Sequence, residues 1–301
     1  MDINKINGLI AAPFTPMYEN GSLNTGMIKN YAGKLKNDGV SGVFVCGTTG
    51  EGMLMTLEER KEVAEAWIEE QTSYFRVIVH VGTTSYKQSC ELAAHAQDKG
   101  AFATGTMGPL FLRPSRTEEL VGFCSEIASA APDIPFYYYH IPSISGIKLP
   151  MTEFLSQAAK KIPNLAGVKF TDNDFMDMLE CIRLDDGKWN ILHGYDELLL
   201  AGLSFGVKGA VGSTYNFMAQ LYYKLINCFE KGDIDGARNY QAMSIKVINI
   251  LVKYGGAIVS GKALMKSVGI ECGPVRLPLK NPDKTMYDKF IEEIKNTGVI
   301  F

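Results

Sequence analysis

The chain has no close pair of cysteines. Its six cysteines, Cys46, Cys90, Cys124, Cys181, Cys228 and Cys272, fall tens of residues apart with no C-x-x-C spacing. A zinc or iron–sulfur site, which needs ligands converging on one ion, is therefore not indicated. Six reduced, mostly packed thiols in a cytoplasmic protein are expected instead. Long apolar runs are also missing, since none approaches the ~20 residues that a membrane span requires. The opening Met1-Asp2-Ile3-Asn4-Lys5 carries an acid and leads into no long apolar core, unlike a secretory signal. An excess of either charge is lacking: Lys and Arg number 30 against 33 Asp and Glu, for a formal net charge of −3. The basic residues are spread along the chain, which leaves no footprint for a nucleic acid. These absences exclude a membrane, nucleic-acid-binding, disordered or small secreted protein. What remains is a chain of 301 residues, 46% hydrophobic, with 30 glycines. It is long enough to bury a large core without disulfides or a structural metal.

Short apolar runs alternate with longer helical patterns. The runs are 9–12, 42–46, 76–81, 102–107, 134–141, 165–170, 189–193 and 208–211. Their starts lie roughly 20 to 35 residues apart, about one βα unit each. Between them, 57–71 and 117–130 place apolar residues at helical spacing. Thr56, followed three residues later by Glu59, is a capping-box signal at the start of the first of these. Eight βα units in series predict a (β/α)8 barrel. A doubly wound sheet fits less well, because the first strand runs into Ala12-Pro13-Phe14-Thr15-Pro16, which has no glycine loop for a nucleotide. About 85 residues follow the eighth strand, with helical patterning at 218–231, 234–254, 258–268 and 286–296. They predict a helical C-terminal extension, packed on the side of the barrel or contributing to an oligomer interface. The barrel strands and loops fall in 1–215, the eighth helix continues to about 231, and 232–301 forms the extension within the same domain.

A barrel places its site at the C-terminal ends of the strands. Strand two ends in Gly47-Thr48-Thr49-Gly50-Glu51-Gly52. This is either a backbone nest with two hydroxyls for a small anion, or a tight loop whose threonines cap the next helix. Strand five contains Tyr137, Tyr138 and Tyr139. The period of two puts Tyr137 and Tyr139 on one face and Tyr138 and His140 on the other. Tyr139, nearest the C-terminal end, is the residue placed to move a proton, unless all three simply pack. Strand six, Leu165-Ala166-Gly167-Val168-Lys169-Phe170-Thr171, carries a lysine in an apolar run, where an ammonium is expensive to bury. Small Gly167 leaves room for its stem. Desolvation lowers the pKa of such a lysine, and the neutral amine attacks a ketone to give a Schiff base; the alternative is a lysine snorkelling at the rim. Strand seven ends in Gly194-Tyr195-Asp196-Glu197, whose acids either suit a helix N-terminus or accept hydrogen bonds from a polyol. Strand eight ends in Gly212-Ser213-Thr214, which could instead hold a phosphate.

In this order the segments 47–51, 139–142, 167–169 and 209–213 resemble the pyruvate-dependent class I aldolases of the N-acetylneuraminate lyase and dihydrodipicolinate synthase family. The resemblance covers nearly the whole chain. It implies that Lys169 forms the Schiff base, that Thr48 and Thr49 bind the carboxylate of the pyruvate unit, and that Tyr139, assisted by Thr48, carries the proton at the C4 hydroxyl. It further implies a homotetramer acting on a small-molecule substrate without metal or organic cofactor. The synthase branch usually has an arginine shortly after the Tyr-x-x-Pro. Here Pro142-Ser143-Ile144-Ser145-Gly146 has none, and a second carboxylate would bind poorly. Gly194-Tyr195-Asp196-Glu197 and Gly212-Ser213-Thr214-Tyr215-Asn216 instead match the lyase branch. By that resemblance Thr171, Gly194, Asp196, Glu197 and Ser213 hold the hydroxylated tail of a sialic acid, and the chain is a carbon–carbon lyase. Another pyruvate aldolase of the family, or a non-catalytic barrel sensing a small acid, are the competing expectations. Many family members lend a tyrosine to a neighbouring subunit from the loop after strand four; here that stretch, Pro109-Leu110-Phe111-Leu112-Arg113-Pro114, has none.

Overall fold

The computed structural model describes residues 3–299, so the Met1-Asp2 start of the segment judged unlike a signal lies outside the described residues. Eight parallel strands close into a barrel in sequence order. They are β1 (Gly8–Ala11), β2 (Gly42–Val45), β3 (Arg76–His80), β4 (Ala103–Thr106), β5 (Phe136–His140), β6 (Leu165–Phe170), β7 (Asn190–His193) and β8 (Gly209–Gly212). Closure comes from β1 pairing with β8, Gly8 opposite Gly209 through Ala11 opposite Gly212. The helices around it are α1 (Ile28–Asn37), α2 (Leu57–Ile68), α3 (Tyr86–Asp98), α4 (Thr117–Ser129), the short α5 (Pro142–Ser145), α6 (Met151–Ala158), α7 (Phe175–Gly187), α8 (Leu199–Ser204) and α9 (Tyr215–Glu230). Beyond them lie α10 (Ile234–Lys253), α11 (Gly256–Leu264) and α12 (Lys284–Lys295). The expected strands and C-terminal helices agree with these bounds to within a few residues.

The strand period of two sorts the core into two shells. Ile10, Phe44, Ile78, Ala103, Tyr137, Tyr139, Ala166, Leu192 and Val211 pack together inside the barrel. Their strand neighbours Leu9, Val43, Val77, Phe136, Tyr138, Val168, Phe170 and Ile191 belong to the larger layer between strands and helices. Buried on both faces, most strands read as short, largely apolar runs. Thr56 and Glu59 form the expected capping box, Thr56 Oγ1 accepting from Glu59 N at 3.2 Å and Glu59 Oε2 from Thr56 N at 2.9 Å. All six cysteines are unpaired. No single helix among the described residues is long and apolar enough to cross a membrane.

One reading of a glycine changes. Gly167 was expected to make room for the Lys169 stem. A Cβ there would instead come to 1.9 Å from the carbonyl oxygen of Asn190. What excludes a side chain is the close approach of β7, to which Gly167 is paired opposite Asn190.

Candidate active site

A cavity of about 290 Å³ opens at the C-terminal ends of the strands. Thr48 and Thr49 line it from the turn after β2, Tyr139 from β5, Lys169 from β6 and Thr171 just beyond β6. Gly194, Asp196 and Glu197 follow β7, and Ser213 follows β8. The structure thus brings all nine residues singled out in the sequence to one cavity. Lys169 and Tyr139, 30 positions apart, are direct register partners across β5 and β6.

Lys169 is buried in the barrel mouth. Its Nζ lies 3.8 Å from the ring centroid of Tyr139 and 4.3 Å from that of Phe44. It makes no ion pair with a carboxylate among the described residues. Burial pulls its pKa down to about 7, and the charge of Asp196 offsets part of the fall. Two aromatic faces favour the ammonium, but less than the lost water would. Tyr139 is pushed up to about 12 by burial, with the Thr48 and Thr171 hydroxyls stabilising a phenolate and limiting the rise. At rest the phenol keeps its proton, so it can accept a second proton only by passing its own on. Thr171 Oγ1 is buried at the cavity wall beside the Tyr139 hydroxyl. A Cβ on Gly194 would reach 1.8 Å from that oxygen, so only glycine allows β7 to close so tightly on Thr171.

Asp196 is also buried, and burial drives its carboxyl up to about 7. Thr214 holds it from behind: Oδ2 accepts from Thr214 N at 2.7 Å and from Thr214 Oγ1 at 2.6 Å. The Thr214 hydroxyl lies 2.8 Å from that of Tyr222. Gln241 Nε2 on α10 donates to the Asp196 carbonyl at 3.1 Å. The Thr214 donors of the strand-eight loop thus already serve Asp196. Among the described residues no three His, Cys, Asp or Glu side chains converge to hold a metal ion.

The profile of the dihydrodipicolinate synthetase family matches residues 5–297. The chain belongs to this family. Among its relatives, the N-acetylneuraminate lyase of Homo sapiens is 41% identical over 296 residues, 97% of this chain and 92% of that protein. The solved structure of the N-acetylneuraminate lyase (sialic acid aldolase) from Aliivibrio salmonicida aligns with a TM-score of 0.96 at 41% identity, over 99% of both chains. That of the Proteus mirabilis N-acetylneuraminate lyase gives 0.95 at 41% identity, over 98% of this chain and 99% of the other.

Within this dihydrodipicolinate synthetase fold, several residues in and around the cavity escape sequence reasoning. Phe44 sits under the Lys169 ammonium. Its signal was only an inward position on strand two. Thr214 buttresses Asp196 from behind. The C-terminal extension was expected to pack beside the barrel or at an interface. Ile248, Leu251 and Val252 of α10, with Ala257 and Ile258 of α11, also wall the cavity. The Gln241 bond to the Asp196 backbone helps to draw α10 over the barrel mouth.

Proposed function

We propose that the chain cleaves N-acetylneuraminate reversibly to N-acetyl-D-mannosamine and pyruvate through a Schiff base on Lys169. The observation that carries this reading is a buried lysine with a near-neutral pKa, register partner to a buried tyrosine, in a cavity with a Gly-Thr-Thr-Gly turn on one side and an acidic pair on another. Lyase names on relatives at 41% identity over nearly the full length support it. The neutral Lys169 amine attacks the C2 ketone of the open-chain sugar acid, and loss of water leaves an iminium that serves as an electron sink. Thr48 and Thr49 hold the adjoining carboxylate. Tyr139 takes the C4 hydroxyl proton as the C3–C4 bond breaks, relaying its own toward the substrate carboxylate with the help of Thr48. The released aldehyde is N-acetylmannosamine; the enamine is protonated at C3 and hydrolysed to pyruvate.

Thr171, Gly194, Asp196, Glu197 and Ser213 would bind the hydroxylated tail. Glu197 lies in the cavity wall, and a carboxylate there is a strong acceptor for sugar hydroxyls. A synthase needs a cation for its second carboxylate, whereas the segment after Pro142 contributes Ser143 and Ile144 to the wall. The family resemblance also carries a single-domain homotetramer and a cytoplasmic location, which light scattering and cell fractionation test. The substrate reading is tested by two coupled assays, one with N-acetylneuraminate and one with pyruvate plus aspartate semialdehyde. Faster turnover of the semialdehyde would overturn it, and binding without turnover would favour a sensor.

A further inference from the structure

Glu51 closes the Gly-Thr-Thr-Gly-Glu turn, yet it does not line the substrate cavity. It adopts a left-handed backbone conformation, φ 55° and ψ 30°, which disfavours any residue with a Cβ. Glycine would suit that backbone better, so the side chain has a reason to be there. Its carboxylate is fully enclosed, with 0% exposure against 1% for its ion-pair partner Lys262. Both oxygens are used: Oε1 accepts from Lys262 Nζ at 2.7 Å and Oε2 from the backbone N–H of Arg276 at 2.8 Å.

The two partners come from the far end of the chain. Lys262 is on α11, one turn after Ile258, which walls the substrate cavity. Arg276 braces the same turn a second time, its guanidinium donating to Glu59 at 2.7 Å and 2.5 Å and to the Leu54 carbonyl at 3.2 Å. On the barrel side, Thr15 Oγ1 donates to the Gly50 carbonyl at 2.7 Å. A Cβ on Gly52 would meet the Cys46 carbonyl oxygen at 1.8 Å. The turn that carries Thr48 and Thr49 is therefore held from both sides, and on one side it is held by the C-terminal extension.

A buried ion pair adds little net stability over a well-packed apolar pair, because desolvation cancels most of the attraction. What it supplies is geometry. We propose that Glu51 is a positioning residue: through Lys262 and Arg276 it locks the Thr48–Thr49 turn to α11 and so presets the cradle for the substrate carboxylate. This rests on the reading of Thr48 and Thr49 as that cradle.

The test is reductive trapping of pyruvate on the full chain with borohydride, read by intact mass as a function of pyruvate concentration. It needs no sugar substrate. In E51Q the half-saturating pyruvate concentration rises by about tenfold or more, comparable to losing a hydrogen bond to a charged group. The maximal trapping rate at saturation is unchanged. The E51Q/K262M double variant removes both charges of the pair, melts close to the wild type, and keeps the raised half-saturation. A purely structural pair would leave the pyruvate dependence of both variants alone. Half-saturation within twofold of wild type in both variants overturns the proposal. A wild-type chain that forms no adduct overturns the Schiff-base reading and this proposal with it.

Discussion

Acidification below pH 7 protonates Lys169, and the rate of imine formation reports how far burial has moved that proton. The lysine pKa falls from an ordinary 10.5 to about 7, chiefly because the ammonium loses its water. At pH 7 roughly half of the amine is then neutral, against about one part in three thousand for an unshifted lysine. Imine formation from pyruvate, quenched with excess borohydride and read by intact mass, should rise about tenfold between pH 6 and pH 8 and then level off. An amine of ordinary pKa would gain about a hundredfold over the same interval and keep climbing towards pH 10. The Asp196 carboxylate raises the Lys169 pKa, so D196N should move the inflection to lower pH. A logarithmic rise that continues unbroken through pH 9 would refute the argument that burial activates Lys169.

Other consequences follow from the same geometry. Lys169 is depressed in the folded state, so its cost to stability is full below pH 7 and vanishes by pH 10.5, as the unfolded chain in turn loses the proton. K169M should therefore melt above the wild type at pH 6–7, with the gap closing as pH rises; the upper bound is roughly 5 kcal/mol. A K169M gap that stays constant from pH 6 to pH 10 would contradict this. Y139F should keep pyruvate trapping but lower kcat for N-acetylneuraminate cleavage by about 10² to 10⁴. Equal loss of both in Y139F would place Tyr139 outside the proton relay. G194A drives a Cβ to 1.8 Å from Thr171 Oγ1. It should raise KM for N-acetylneuraminate by about tenfold, ~1.4 kcal/mol, while pyruvate trapping is unaffected; an unchanged KM would remove Thr171 from the tail site.

The barrel was legible because the strands are short, mostly apolar on both faces and spaced one βα unit apart. That pattern survives in the sequence without knowledge of contacts. Lys169 was legible for a related reason: an ammonium in an apolar strand is costly enough to stand out. Tyr139 was picked from the alternation of three tyrosines, and barrel register then made it the lateral partner of Lys169. Contacts between distant segments were not legible. Glu51 and Lys262 are 211 positions apart, and nothing local to either announces the other. The same holds for Gln241, which reaches the Asp196 backbone from α10, and for Phe44, whose inward position is shared by many residues that only pack. Gly167 shows the opposite failure. Its glycine was noticed, but its reason lay in the backbone of β7 rather than in its own strand.

The proposed function depends on carbon–carbon bond cleavage through a covalent imine on Lys169. Borohydride added during turnover of N-acetylneuraminate, followed by peptide mapping by mass spectrometry, tests it directly. A reduced pyruvate adduct is expected on the peptide carrying Lys169, with inactivation in step with its formation. Sustained cleavage with no adduct on Lys169, or full activity in K169A, would contradict it.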